Sequence, residues 1–154
     1  SVGQLVIPDQ IIDYTWGREH TIDVGGDQGL MHIDFTKPFD CEVRNELIQV
    51  AENLKLNVLK SSTIGVTQGP RLESAAEISR LSRDGCDVVG MTSMPEAGIA
   101  RELNLRYASI CIVSNLAAGR VGAEMSTHKI HYVLEQQIST LCLLLAGYFR
   151  VINA

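Results

Sequence analysis

The 154-residue sequence predicts an α/β fold: one domain with a mixed, partly parallel, mostly buried central sheet flanked by helices. Three observations carry this prediction. Segments with apolar residues at helical spacing alternate with short apolar, β-branched runs. One of these runs, Tyr107–Ser114, is apolar almost throughout, as a strand covered on both faces requires. Apolar residues make up 45% and charged residues 20%, at a length where folding hides roughly 70% of the unfolded surface.

Taken in order, Leu5–Pro8 and Ile11–Ile12 read as an opening strand. Residues 17–31 form a Gly- and Asp-rich surface loop. Cys41–Leu54 is a helix with Leu47, Val50, Ala51 and Leu54 on one face and Asp40 as its N-cap. Asn57–Leu59 and Ser62–Val66 are short strands. Ser74–Arg83 is an amphipathic helix closed by Gly85. Asp87–Gly90 is a strand, Glu96–Leu103 a helix that Ser93 is positioned to cap, and Tyr107–Ser114 a strand. A long helix over Ser126–Phe149 follows, with Ile130, Val133, Leu134, Ile138, Leu141 and Leu145 on one stripe.

Composition narrows the function classes. The 13 Lys+Arg and 18 Asp+Glu give a net charge of −5 without a basic cluster, which argues against a nucleic-acid partner. The longest apolar run, Leu141–Phe149, is far short of the about 20 residues a membrane span needs, and no signal peptide pattern opens the chain. The four cysteines are scattered, with no C-x-x-C. Cys86, Cys111 and Cys142 read as core residues of a reduced, cytoplasmic protein. His128 and His131 lie three apart on one helix with no evident third ligand, so no metal is expected. P-loop, G-x-G-x-x-G and G-x-S-x-G motifs are absent.

In sheets of this class ligands sit at the carboxyl ends of strands. Three polar clusters occur there. In Thr67–Ser74, Glu73 either complements the macrodipole of the following helix or faces a ligand. In Met91–Glu96, the Thr92–Ser93 hydroxyl pair either begins a helix or binds an anion. Asn115 ends the apolar strand and either satisfies a turn or offers a donor and an acceptor together. That pair suits the edge of a purine ring. With a carboxylate it distinguishes a 6-oxopurine from a 6-aminopurine, because the wrong base leaves buried polar groups unpaired.

The stretches LVIPDQIIDYTWGREHT (5–21), HIDFTKPFD (32–40), the run from Thr67 to Ala108 containing TQGPRLE and VVGMTSMPE, and VSNLAAG (113–119) together resemble the trimeric purine nucleoside phosphorylase and methylthioadenosine phosphorylase family. TQGPRLE, RDG and SNLAAG are most similar to the bacterial S-methyl-5′-thioinosine phosphorylases. The resemblance implies phosphorolysis of a 6-oxopurine nucleoside with inorganic phosphate as co-substrate, no metal or organic cofactor, and a homotrimer. It also implies roles. Glu73 accepts the base N1–H, Asn115 reads O6 and N7, Leu72 packs on the base, Met91 lines the ribose and Thr92 contacts phosphate. His32 closes the 5′ end of a neighbouring subunit's site, and Met125 or His128 faces the 5′ group.

The family's N-terminal part, with its Gly-rich phosphate loop, has no counterpart here. Residues 1–154 are therefore expected to be the C-terminal portion of a single nucleoside phosphorylase domain that lacks part of the phosphate site. The final Val151–Ala154 resembles a strand end from that missing part. Alternative readings are an inosine/guanosine phosphorylase, a methylthioadenosine phosphorylase, or a catalytically incomplete homologue acting as a binding or assembly module.

Overall fold

A computed structural model describes residues 1–22, 32–122 and 126–153. Pro8 decides how the chain begins. It has no N–H to donate, so pairing cannot run through it. The expected single opening strand is therefore two, β1 (Leu5–Val6) and β2 (Gln10–Asp13), and they belong to different sheets. Asp9 and Gln10 donate their amides to Ser62 O at 3.0 and 3.3 Å across this break. Arg44 donates to Pro8 O and Lys60 O, both at 2.7 Å, and ties the junction to the first helix.

β1 is the middle strand of a mixed sheet. It runs parallel to β3 (Val58–Leu59; Leu5 opposite Val58) and antiparallel to β6 (Cys111–Ile112; Leu5 opposite Ile112). The second sheet is wholly parallel. Its middle strand β4 (Thr63–Val66) has β2 on one side and β5 (Val88–Gly90) on the other. Burial follows position rather than composition. The middle strands β1 and β4 hold Leu5, Val6, Ile64 and Val66 at 3% exposure or less, whereas β5 and β6 are only half-buried. The expected strand over Tyr107–Ser114 shortens to β6, although Val113 still exchanges backbone bonds with Gly3 and Gln4.

The helices begin where side chains satisfy their first amides. Asp40 Oδ1 accepts from Val43 N at 2.8 Å and starts α1 (Cys41–Asn53). Ser74 and Glu77 form a reciprocal capping box that starts α2 (Ala75–Arg83). Gly85, at φ +96, follows the C-cap of that helix in a conformation closed to most side chains. α3 (Glu96–Glu102) begins at Pro95 without a side-chain cap. Ser93, expected there, is instead 3% exposed with its hydroxyl 3.4 Å from that of Ser109. Ser126 caps α4 (Thr127–Ile152), which continues through Val151 and Ile152, so these two residues are helical and not part of a strand.

Two clusters form the core. Leu47, Val50 and Ala51 of α1 and Leu144 of α4 pack with Leu5, Ile7 and Val58. Phe39, Met94 and Ala97 pack with Ile64 and Val66, and Phe39 stacks on Tyr107 with ring centroids 6.1 Å apart. Four residues of the expected α4 stripe, Ile130, Val133, Leu141 and Leu145, are half-buried, and the inward face also takes in Leu144. Leu144 is fully buried while Leu134 and Ile138 are exposed, as is Leu54 at the end of α1. Gly147 lets α4 lie close against α1: a Cβ there would lie 2.6 Å from Val50 Cγ1. Cys41 and Cys142 are exposed and Cys86 and Cys111 half-buried, so the expectation of a core role fails at Cys142. No described helix is long and apolar enough to cross a membrane.

Candidate active site

β4, β5 and β6 each end in a loop, and the three loops meet. The first, from Thr67 to Ser74, turns at Gly69, whose φ of +65 and missing side chain both matter. A Cβ on Gly69 would lie 2.7 Å from Met91 Sδ, so the second loop packs directly on the first. The third loop closes on α2 in the same way. A Cβ on Gly119 (φ +76) would lie 2.6 Å from Ala75 Cβ. Glycine at these two points lets the strand ends converge.

Glu73 sits one residue before the cap of α2, and the first-turn amide is satisfied by Glu77 and Ser74. Glu73 has a partner besides the helix end. Its Oε1 accepts from Thr67 Oγ1 at 2.5 Å, which aims the carboxylate across its own loop. Arg71 forks onto both Glu77 oxygens at 2.8 and 2.7 Å. That fork, helped by the Ser74 amide, pulls Glu77 down to about 2, so Arg71 is neutralised by its neighbour. Asn115 is engaged within its own turn. Its Oδ1 accepts from Ser114 Oγ at 2.9 Å and its Nδ2 donates to Leu116 O at 3.0 Å. Reading a ligand therefore means exchanging these local bonds for ligand contacts.

The loops, together with α2 and the strands β5 and β6, border an open cavity of about 630 Å³, in the size range of small-molecule sites. It brings together Leu72, Glu73, Met91 and Asn115 of the expected residues, with Ile130 from the first turn of α4 also on the wall. Thr92 is exposed beside Met91 and outside that wall, as are His32 and His128. Met125 lies outside the described residues. Cys86 and Cys111 line the same cavity, and burial raises both thiols above their ordinary range, so neither is an activated nucleophile. A second cavity of about 480 Å³, bordered by Tyr14, Trp16 and Arg80, shares Glu73 with the first. Among the described residues no group of three His, Cys, Asp or Glu could hold a metal ion.

Sequence reasoning missed Thr67, Ile130 and Arg18. Arg18 donates to Thr67 O, Gln68 O and Met94 O, all 49 or more residues away, and no local pattern signals such partners.

The model of one protein family, the Phosphorylase superfamily, matches residues 1–150. The chain belongs to that superfamily. It is 51% identical over 129 residues to a probable S-methyl-5′-thioinosine phosphorylase of Xylella fastidiosa (strain 9a5c), covering 82% of this chain and 54% of that protein. It is 41% identical over 140 residues to the 6-oxopurine nucleoside phosphorylase of Pyrococcus furiosus, covering 88% and 53%. Methylthioadenosine phosphorylase from Schistosoma mansoni, solved with adenine, superposes with a TM-score of 0.91 at 27% identity, over 99% of this chain and 60% of that one. The chain thus spans about half to three-fifths of the length of these superfamily members.

Proposed function

We propose that the protein carrying this chain is a 6-oxopurine nucleoside phosphorylase whose preferred substrate is S-methyl-5′-thioinosine. The observation that carries this reading is the convergence of Glu73 and Asn115, from two different strand ends, on one cavity. A carboxylate accepts the N1–H that only an oxopurine carries. An amide donates to O6 or N7. An aminopurine presents an unprotonated N1 to the carboxylate and leaves that partner mismatched in a desolvated site, whereas the amide, with a donor and an acceptor, can meet either base. The 27% identical methylthioadenosine enzyme supports the shared fold, while the relatives at 51% and 41% identity bear oxopurine or thioinosine names.

In the reaction the C1′–N9 bond breaks, its electron pair leaves with the base, and a phosphate oxygen bonds to C1′. The products are hypoxanthine and methylthioribose 1-phosphate. Negative charge grows on the departing base as the bond lengthens. The Asn115 donor therefore binds the transition state more strongly than the substrate, the condition for catalysis. Leu72 packs on the base, Met91 lines the sugar and Thr92 contacts phosphate. The enzyme works in the cytoplasm without metal or organic cofactor. It is a homotrimer in which His32 reaches the 5′ end of a neighbouring subunit's site.

The 5′ preference rests on α4. Ile130 offers an apolar wall to the cavity, whereas His128, two residues earlier and on the opposite side of the helix, is exposed. An apolar wall favours a methylthio group over a hydroxyl. The test is phosphate-dependent release of hypoxanthine by the whole protein from methylthioinosine and from inosine. Methylthioinosine is expected ahead by roughly ten- to two-hundredfold in kcat/KM, the range available to small apolar discriminations. Equal or better turnover of inosine would shift the assignment to a general oxopurine phosphorylase. Absence of phosphate-dependent release would leave a binding or assembly module.

A further inference from the structure

Arg18 belongs to none of the three loops around the cavity, yet it joins two of them. Its Nη2 donates to Gln68 O at 2.9 Å and to Thr67 O at 3.3 Å, and its Nη1 donates to Met94 O. The planar guanidinium fork spans acceptors that a point charge could not reach together. Thr67 carries the hydroxyl that aims Glu73, and Met94 follows Met91 and Thr92 in the second loop. The segment bearing Arg18 is itself strapped to the first loop and to the far end of α3. Trp16 N donates to Gln68 Oε1 at 3.1 Å, and Ile22 N donates to Glu102 Oε2 of α3 at 2.9 Å.

We propose that Arg18 is a positioning residue that sets the spacing between the base-reading loop, Thr67–Ser74, and the sugar-side loop, Met91–Pro95. This inference rests on the phosphorylase reading above. A nucleoside bridges both loops, so its reaction depends on their separation. Free hypoxanthine touches Glu73 and Asn115 and never reaches Met91, so its binding does not depend on it. That difference separates positioning from simple support of the fold, which would weaken both ligands alike.

The experiment compares R18A and R18K with wild type in the whole protein. Three readouts are taken: kcat/KM for methylthioinosine, the hypoxanthine Kd by calorimetry, and amide hydrogen exchange of segments 67–74 and 91–96. In R18A, kcat/KM should fall on the order of 10- to 100-fold, the cost of a misplacement near 1 Å, and both segments should exchange faster. The hypoxanthine Kd should stay within about threefold, because hypoxanthine bridges Glu73 and Asn115, on the first and third loops, and Arg18 bonds the first loop only to the second. R18K, which keeps the charge but loses the fork, should fall between the two. The proposal is overturned by unchanged exchange, by kcat/KM within about twofold of wild type, or by a hypoxanthine Kd weakened in step with kcat/KM. Should R18A fail to fold, the same readouts on R18K decide. A wild type that turns over no nucleoside would refute the phosphorylase reading, and the exchange data would still judge the clamp.

Discussion

Replacing Asn115 by Asp tests the base-reading assignment most directly. In the structure Nδ2 donates to Leu116 O at 3.0 Å and Oδ1 accepts from Ser114 Oγ at 2.9 Å. Aspartate keeps the second bond and turns the first into a contact between two oxygens. It also sets a second carboxylate on the cavity that Glu73 already borders. Towards an oxopurine the donor to O6 or N7 is lost. Towards an aminopurine a new acceptor for the exocyclic amine is gained. One unmatched buried polar group costs about 1–3 kcal/mol, so the ratio of kcat/KM for methylthioinosine over methylthioadenosine should fall by about 5- to 150-fold. The assay is steady-state phosphorolysis of both substrates by each enzyme at saturating phosphate. Using a ratio cancels any general loss of folded protein. A ratio within twofold of wild type would refute the placement of Asn115 against the base.

Three further outcomes are expected. Ile130→Asn should cut the methylthioinosine-over-inosine preference by roughly tenfold, while His128→Leu leaves inosine kcat/KM within about twofold, since only Ile130 lies on the cavity wall. Gly119→Ala should lower the unfolding free energy by about 2–4 kcal/mol in urea denaturation, combining a left-handed backbone with a clash against Ala75; Gly69→Ala should cost less, because Met91 Sδ is the end of a side chain that can swing aside. Glu77→Gln should lower Tm at neutral pH, with the gap to wild type closing as pH falls from about 4.5 towards 2. The Arg71 fork lowers the folded pKa to about 2, so the stabilisation is present above the ordinary carboxylate range and is lost as acid protonates Glu77. A Tm gap independent of pH would show that the carboxylate charge is irrelevant to the start of α2.

The sequence by itself determined where α1, α2 and α4 start, because those starts are decided by groups a few residues apart. Asp40 reaches Val43, Ser74 reaches Glu77, and Ser126 reaches Lys129. It also pointed to Glu73 and Asn115, since strand ends in an α/β sheet gather ligand contacts whatever the details of packing, while Leu72 and Met91 came through the family resemblance. Tertiary structure decided the rest. Pro8 can be read as a break, but only the pairing of β2 with β4 shows that the break changes sheets. How closely α4 lies against α1 depends on where Gly147 admits Val50, a contact nearly a hundred residues apart. Ser93 fits a helix start in sequence and is buried against Ser109 in space. Arg18 reads as one charge in a polar loop. Its three acceptors are backbone carbonyls, which every residue owns, so only the fold could select them.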